Sequence, residues 1–217
     1  MVHIAVLVSG GGTTLQALLD AQEAGAIRNG RIVKVIASRP DAYALERAAA
    51  KRVPTAVVSR KAYATPEAFD EALLAELEAC GAELVVLAGF LSILGEKVIA
   101  RYRNRILNVH PSLIPAFCGK GFYGLKVHEA ALAYGVKVTG ATVHLVNEIP
   151  DGGAIVLQKA VAVQPADTPE TLQLRVMRQA EWELLPKATA MVCQRIQEEK
   201  DPVLRRENPR GRQHRRR

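Results

Sequence analysis

The sequence is poor in cysteine and in aromatic side chains: Cys80, Cys118 and Cys193 are its only cysteines in 217 residues, tryptophan occurs once, and aromatics make up 5%. Three widely spaced cysteines without a Cys-x-x-Cys pair exclude a disulfide framework and a thiolate zinc site, and point to a reducing compartment. Long hydrophobic runs are missing too. The N-terminal apolar stretch at residues 4–8 is shorter than a signal-peptide core and has no basic region ahead of it. Nothing approaches the ~20 apolar residues of a membrane span, so the expectation is a soluble, cytoplasmic protein with no membrane partner. A broad basic surface is also absent, although the formal net charge is +7. In residues 201–217, seven arginines (Arg205, Arg206, Arg210, Arg212, Arg215, Arg216 and Arg217) stand against Asp201 and Glu207, which puts +5 there and leaves +2 for residues 1–200. A nearly neutral body with a short arginine tail is not the footprint of a nucleic-acid binder. With Pro202, Pro209 and Gly211, the tail reads as a disordered appendix. The expected organisation is therefore one domain over 1–200, followed by this tail over 201–217.

What is present is apolar material for one core, 49% of residues, and a regular rhythm. β-Branched runs at 2–8, 32–37, 55–58 and 84–88 alternate with helical patterns at 13–23, 42–51 and 66–79, the last with Pro66 at a helix start. That alternation predicts a parallel sheet covered by helices, doubly wound and Rossmann-like in the N-terminal half. After a strand at 105–108 the rhythm changes to a long loop over 110–123, a helix at 125–133, and strands at 137–145 and 154–163. A short 147–153 turn makes these two strands an antiparallel pair. Thr168 as N-cap and Pro169 at the first helical position open a long C-terminal helix to about 199, which Pro186 should kink or split. The fold class is thus α/β, with a mostly parallel sheet, an antiparallel C-terminal strand pair and a long C-terminal helix.

Three segments carry chemistry. Ser9-Gly10-Gly11-Gly12-Thr13-Thr14-Leu15-Gln16 stands where the first strand passes into the first helix, and its glycines and helix-start N–H groups suit an anion such as phosphate. A dinucleotide fits poorly: Leu15 stands where the third glycine belongs, and Ser38-Arg39 replaces the acidic residue that would bind a ribose. Arg39 leaves a 2′-phosphate contact open. The second segment is Asn108-Val109-His110-Pro111-Ser112-Leu113-Ile114-Pro115. Strand alternation turns Asn108 and His110 to the same side, where an amide donor and an imidazole suit acyl transfer through an oxyanion. The third, Asp151-Gly152-Gly153, is also an ordinary turn sequence. Asp151 becomes an orienting carboxylate only if its loop folds back over His110.

These segments, together with Leu87-Ala88-Gly89-Phe90 and Gly140-Ala141-Thr142-Val143-His144, resemble in content and order the glycinamide ribonucleotide formyltransferases of purine biosynthesis. The resemblance runs from about residue 3 to residue 190. It implies direct formyl transfer from 10-formyltetrahydrofolate, as co-substrate, to the primary amine of glycinamide ribonucleotide, without a metal and without a covalent enzyme intermediate. It assigns Asn108 and His110 to the oxyanion, and Asp151 to His110 and to a water relay that removes the amine proton. Gly11, Gly12, Thr13, Thr14 and Glu181 would take the ribonucleotide, with Thr13-Thr14 replacing the family's Ser-Asn. Leu87, Phe90, Leu91, Ser92, Ile93, Val146, Asn147 and Asp151 would take the folate, Ser92 standing where many relatives carry a basic residue. Ser112 and His144 would support the site, and the glycine-rich 118–124 segment would lie near the substrate mouth. A monomer or homodimer is compatible with the resemblance. Methionyl-tRNA formyltransferases carry an additional C-terminal domain and formyltetrahydrofolate hydrolases an N-terminal regulatory one, and neither is expected here.

Overall fold

The computed structural model describes residues 1–201, so the expectation of a disordered tail lies outside the described residues beyond Asp201. Seven strands form one sheet in the order β3-β2-β1-β4-β5-β6-β7. The strands are β1 (Val2–Val8), β2 (Gly30–Ala37), β3 (Thr55–Val57), β4 (Leu84–Leu87), β5 (Ile106–His110), β6 (Val138–Leu145) and β7 (Ile155–Ala162). β1 to β5 are mutually parallel, whereas β6 runs antiparallel to both β5 and β7.

Both faces of the sheet are covered, which is why its central strands are apolar at nearly every position. Val2, Ile4, Val6 and Val8 of β1 enter one core, and Ala5 and Leu7 the other. The first core is closed by α1 (Thr13–Glu23), α2 (Ala44–Ala50), α6 (Pro169–Val176) and α7 (Trp182–Lys200), through Leu15, Leu18, Ala48, Leu172, Leu185 and Ile196. The second is closed by α3 (Pro66–Ala79) and α4 (Glu96–Arg101), through Phe69, Leu73, Leu77 and Val98. Full burial of such side chains contributes about 2 kcal/mol each. α5 (Leu125–Tyr134) packs against α6.

Three elements depart from the expected pattern. β5 extends to His110 because its last residues pair with β6, His110 opposite Thr142. α4 was not expected: six residues are too few to show a helical period, yet Val98 and Ile99 are buried. The C-terminal helix is divided by a single wide π turn, Met177–Glu181, that ends five residues before Pro186. Pro186 lacks the N–H that would bond the Trp182 carbonyl and its ring crowds that carbonyl, so the winding loosens ahead of the proline, not at it. The start of α6 follows expectation, with Thr168 and Thr171 exchanging side-chain to backbone bonds in a capping box. Among the described residues no helix is long and apolar enough to cross a membrane.

Candidate active site

The carboxyl end of β5 builds the centre of the site. Leu107 and Val109 point into the first core and Ile106 into the second, so Asn108 and His110 share the face covered by α3 and α4 but lie beyond those helices. The antiparallel register sets Asn108 opposite His144 and His110 opposite Thr142, adding two polar residues from β6 to that face. His144 Nδ1–H donates to the Leu145 carbonyl at 3.0 Å, which leaves Nε2 to accept from Asn108 Nδ2–H at 3.1 Å. His110 Nε2–H donates to the Phe117 carbonyl at 2.8 Å. Nδ1 of His110 therefore faces Asp151, whose Oδ2 is 3.6 Å away, while Asp151 Oδ1 is 3.5 Å from His144 Nε2.

The 147–153 loop thus folds back over His110, the condition on which a chemical role for Asp151 depended. Two backbone features allow it. Asp151 adopts a left-handed conformation (φ 56°), which a short polar side chain tolerates. Gly153 lies so near the end of β6 that a Cβ there would stand 1.7 Å from the Leu145 carbonyl oxygen, so only glycine permits the approach.

Backbone groups complete the cluster, and these were invisible in the sequence. Gly119 N–H donates to Asp151 Oδ2 at 2.8 Å, so one short segment holds His110 through a carbonyl and Asp151 through an amide. Phe117 is left-handed (φ 49°), a costly state for an aromatic residue, and its ring makes edge-on contacts with Phe122 at 6.4 Å and Tyr134 at 6.0 Å. Below it, the buried Thr142 hydroxyl donates to the Ser112 carbonyl at 2.7 Å and accepts from Ile114 N–H at 3.1 Å and Gln158 Nε2–H at 2.9 Å. Ser112 Oγ–H donates to the Ala116 carbonyl at 2.6 Å. Every hydrogen-bonding position of Thr142 is used, which braces the loop that carries Phe117. The sequence marked this segment by its length, its prolines and its glycines, and not by the backbone groups it would aim at the site.

The electrostatics separate the two partners. Burial lowers the pKa of His110 below the usual imidazole value, a shift that the Phe117 carbonyl and the Asp151 charge only partly offset. Burial acts to raise Asp151, but the Gly119 amide and the charge of His110 oppose it, and the carboxyl lies below its ordinary range. At neutral pH the pair is a carboxylate beside a largely neutral imidazole, and a proton taken up on Nδ1 would be stabilised at once by Asp151.

The glycine loop stands at the same sheet edge, after β1. Thr14 is buried at the start of α1, and its Oγ1 lies 3.5 Å from Glu181 Oε2, joining two residues expected to meet the same ligand. Glu181 is 9% exposed, and desolvation pushes its carboxyl up to about 7 despite the Thr14 hydroxyl. Leu91 N–H donates to Ser9 Oγ at 2.9 Å, which ties the glycine loop to the segment after β4. Of the apolar residues expected at the folate, Leu87, Phe90 and Val146 pack at the margin of the second core, whereas Leu91 (65% exposed) and Ile93 (86%) project into solvent. Ser92 and Asn147 are partly buried. Gly11, Gly12 and Thr13 remain accessible. Arg39, left open as a 2′-phosphate contact, is fork-bonded to Asp41, with Nε to Oδ1 at 3.0 Å. Among the described residues, no group of three His, Cys, Asp or Glu side chains could hold a metal ion.

A doubly wound sheet carrying Asn108, His110 and Asp151 at its carboxyl edge defines a class, and comparison with known proteins agrees with it. The chain belongs to the formyltransferase family: the model of that family, described as formyl transferase, matches residues 2–189. Within the family it is similar to the 10-formyltetrahydrofolate-dependent phosphoribosylglycinamide formyltransferases. The enzyme of that name from Haemophilus influenzae is 41% identical over 186 residues, covering 86% of this chain and 84% of that protein. The crystal structure of glycinamide ribonucleotide transformylase 1 from Symbiobacterium toebii superposes with a TM-score of 0.84 at 43% identity, covering 89% of this chain and 88% of that one. The trifunctional purine biosynthetic protein adenosine-3 of Drosophila melanogaster is 38% identical over 191 residues, and the chain spans only 14% of its length.

Proposed function

We propose that the protein transfers the formyl group of 10-formyltetrahydrofolate to the primary amine of 5′-phosphoribosylglycinamide, giving the N-formyl product and tetrahydrofolate. The observation that carries this reading is the Asn108, His110, His144 and Asp151 cluster at the open end of β5, in a chain of the formyltransferase family.

The amine nitrogen attacks the formyl carbon, and the carbonyl oxygen becomes an oxyanion. Asn108 spends one amide hydrogen on His144 and keeps the other for that oxygen. The amine proton passes toward the His110 and Asp151 pair, directly or through water, and the imidazole, once protonated on Nδ1 beside Asp151, places positive charge near the developing oxyanion. Collapse of the tetrahedral intermediate breaks the bond between the formyl carbon and folate N10, which takes up a proton. In this reading the phosphate rests on the loop of Gly11, Gly12 and Thr13, and the glycinamide reaches Glu181 and Thr14. The pterin enters past Leu87, Phe90 and Val146, with Leu91, Ser92, Ile93 and Asn147 at the rim. No metal and no covalent enzyme intermediate is required.

The test is a spectrophotometric assay with 10-formyltetrahydrofolate and phosphoribosylglycinamide. An absorbance change that depends on the amine is expected. Its absence, with a thermal shift on adding NADPH, would overturn the proposal in favour of a nucleotide-dependent oxidoreductase.

A further inference from the structure

We infer that Arg47, thirty-five residues beyond the glycine loop, is a positioning residue for the phosphate of the substrate, acting through the backbone of that loop; the inference rests on the reaction proposed above. Arg47 Nε–H donates to the Gly11 carbonyl at 2.8 Å. One turn earlier on α2, Ala44 N–H donates to the Gly10 carbonyl at 3.1 Å. In a trans peptide the carbonyl of one residue and the N–H of the next point in opposite directions. Tying the Gly10 and Gly11 carbonyls to α2 therefore turns the N–H groups of Gly11 and Gly12 away from α2. Among the described residues neither N–H has a hydrogen-bond partner. Two free donors at the start of α1, both turned away from α2, are what an anion needs, and α2 is what orients them.

The contact between the loop and α2 is close enough to require glycine at position 12. Gly12 is left-handed (φ 70°), and a Cβ on it would stand 2.6 Å from Ala44 Cβ and 3.3 Å from Arg47 Cδ. Arg47 is itself held at three points: the Gly11 carbonyl, Gln16 Oε1 at 3.2 Å from Nη1, and the Tyr43 ring, whose centroid is 5.1 Å from the guanidinium carbon. A lysine has no fork with which to make all three contacts. Arg47 also supplies a formal positive charge beside a loop whose own side chains, Thr13 and Thr14, are neutral and whose buried neighbour Glu181 is acidic.

Arg47→Met keeps the apolar stem over Gly12 and Tyr43 and removes the head. Steady-state kinetics with each substrate varied in turn should show KM for phosphoribosylglycinamide raised roughly 10- to 100-fold, the scale of one charge-assisted bond. KM for the folate and kcat should stay within about threefold, because the groups at β5 are untouched. Calorimetry with ribose 5-phosphate should show affinity lost by the same factor, and Arg47→Lys should recover only part of it. Unchanged KM and phosphate-ester affinity would overturn the inference, as would full recovery in Arg47→Lys, or both KM values and kcat worsening together with a lowered Tm. Failure of the wild-type enzyme to formylate phosphoribosylglycinamide would instead defeat the proposed reaction. The ribose 5-phosphate arm would still decide the role of Arg47.

Discussion

Asn108 and Glu181 are the residues on which the reading is most exposed. Asn108 has one amide hydrogen on His144 and one to spend on a ligand. Asn108→Ala should therefore lower kcat by roughly two to three orders of magnitude, the usual effect of losing one oxyanion donor. Initial rates on a variant with unchanged circular dichroism check this, and near-wild-type turnover would remove Asn108 from the chemistry. Glu181 is a conflict between function and stability. Its folded pKa of about 7 lies above the ordinary 4.5, so the folded state keeps a proton that the unfolded chain releases. The stability this group confers is whole below pH 4.5, declines as pH rises toward 7 and stays lost above it, a loss of about 3 kcal/mol. Glu181→Gln should thus raise Tm at pH 8, leave it unchanged near pH 4, and raise KM for the amine substrate. Equal Tm values for the two proteins at pH 8 would refute the buried-carboxylate argument.

At the scale of elements, the loop between β6 and β7 acts as a single device. Because a Cβ on Gly153 would collide with the Leu145 carbonyl, Gly153→Ala should push Asp151 away from His110 and reduce turnover about as much as Asp151→Ala does. Turnover near that of wild type would show that the loop has slack. α5 carries a different burden. His128 is fully buried, neither ring nitrogen has a partner, and desolvation pushes it down to about 4 from 6.5. The unfolded chain then binds the proton first, so stability is whole above pH 6.5 and falls as pH drops from 6.5 to about 4, by about 3 kcal/mol. Urea midpoints across that range should fall steeply for the wild type and less for His128→Leu; parallel curves would contradict it. Periodicity read the long elements well, β1, α1 and α3 to the residue, because a buried strand or an amphipathic helix writes its own pattern. It could not read α4, which is too short, nor the π turn, whose position depends on how Glu181 and Pro186 are packed.

For the whole molecule the useful distinction is between charge within the stretch matched by the family and charge beyond it. Of a net +7, residues 201–217 hold +5, beyond the stretch matched by the family. Removing residues 201–217 should leave formyl transfer unchanged, as measured by kcat/KM for both substrates, and a large loss would show that the tail serves the reaction. What the amino-acid order determined alone was the βα rhythm, the side of β5 that carries Asn108 and His110, and the glycine-rich turn between β1 and α1. All three follow from local rules of alternation, propensity and backbone freedom. Only the tertiary structure decided whether Asp151 reaches His110, whether Thr14 meets Glu181, and that the backbone groups of Phe117, Gly119 and Gly11 bond to His110, Asp151 and Arg47. Backbone carbonyls and amides are the same at every residue, so composition carries no trace of which ones will be aimed. Their direction is set by packing between segments far apart in the chain.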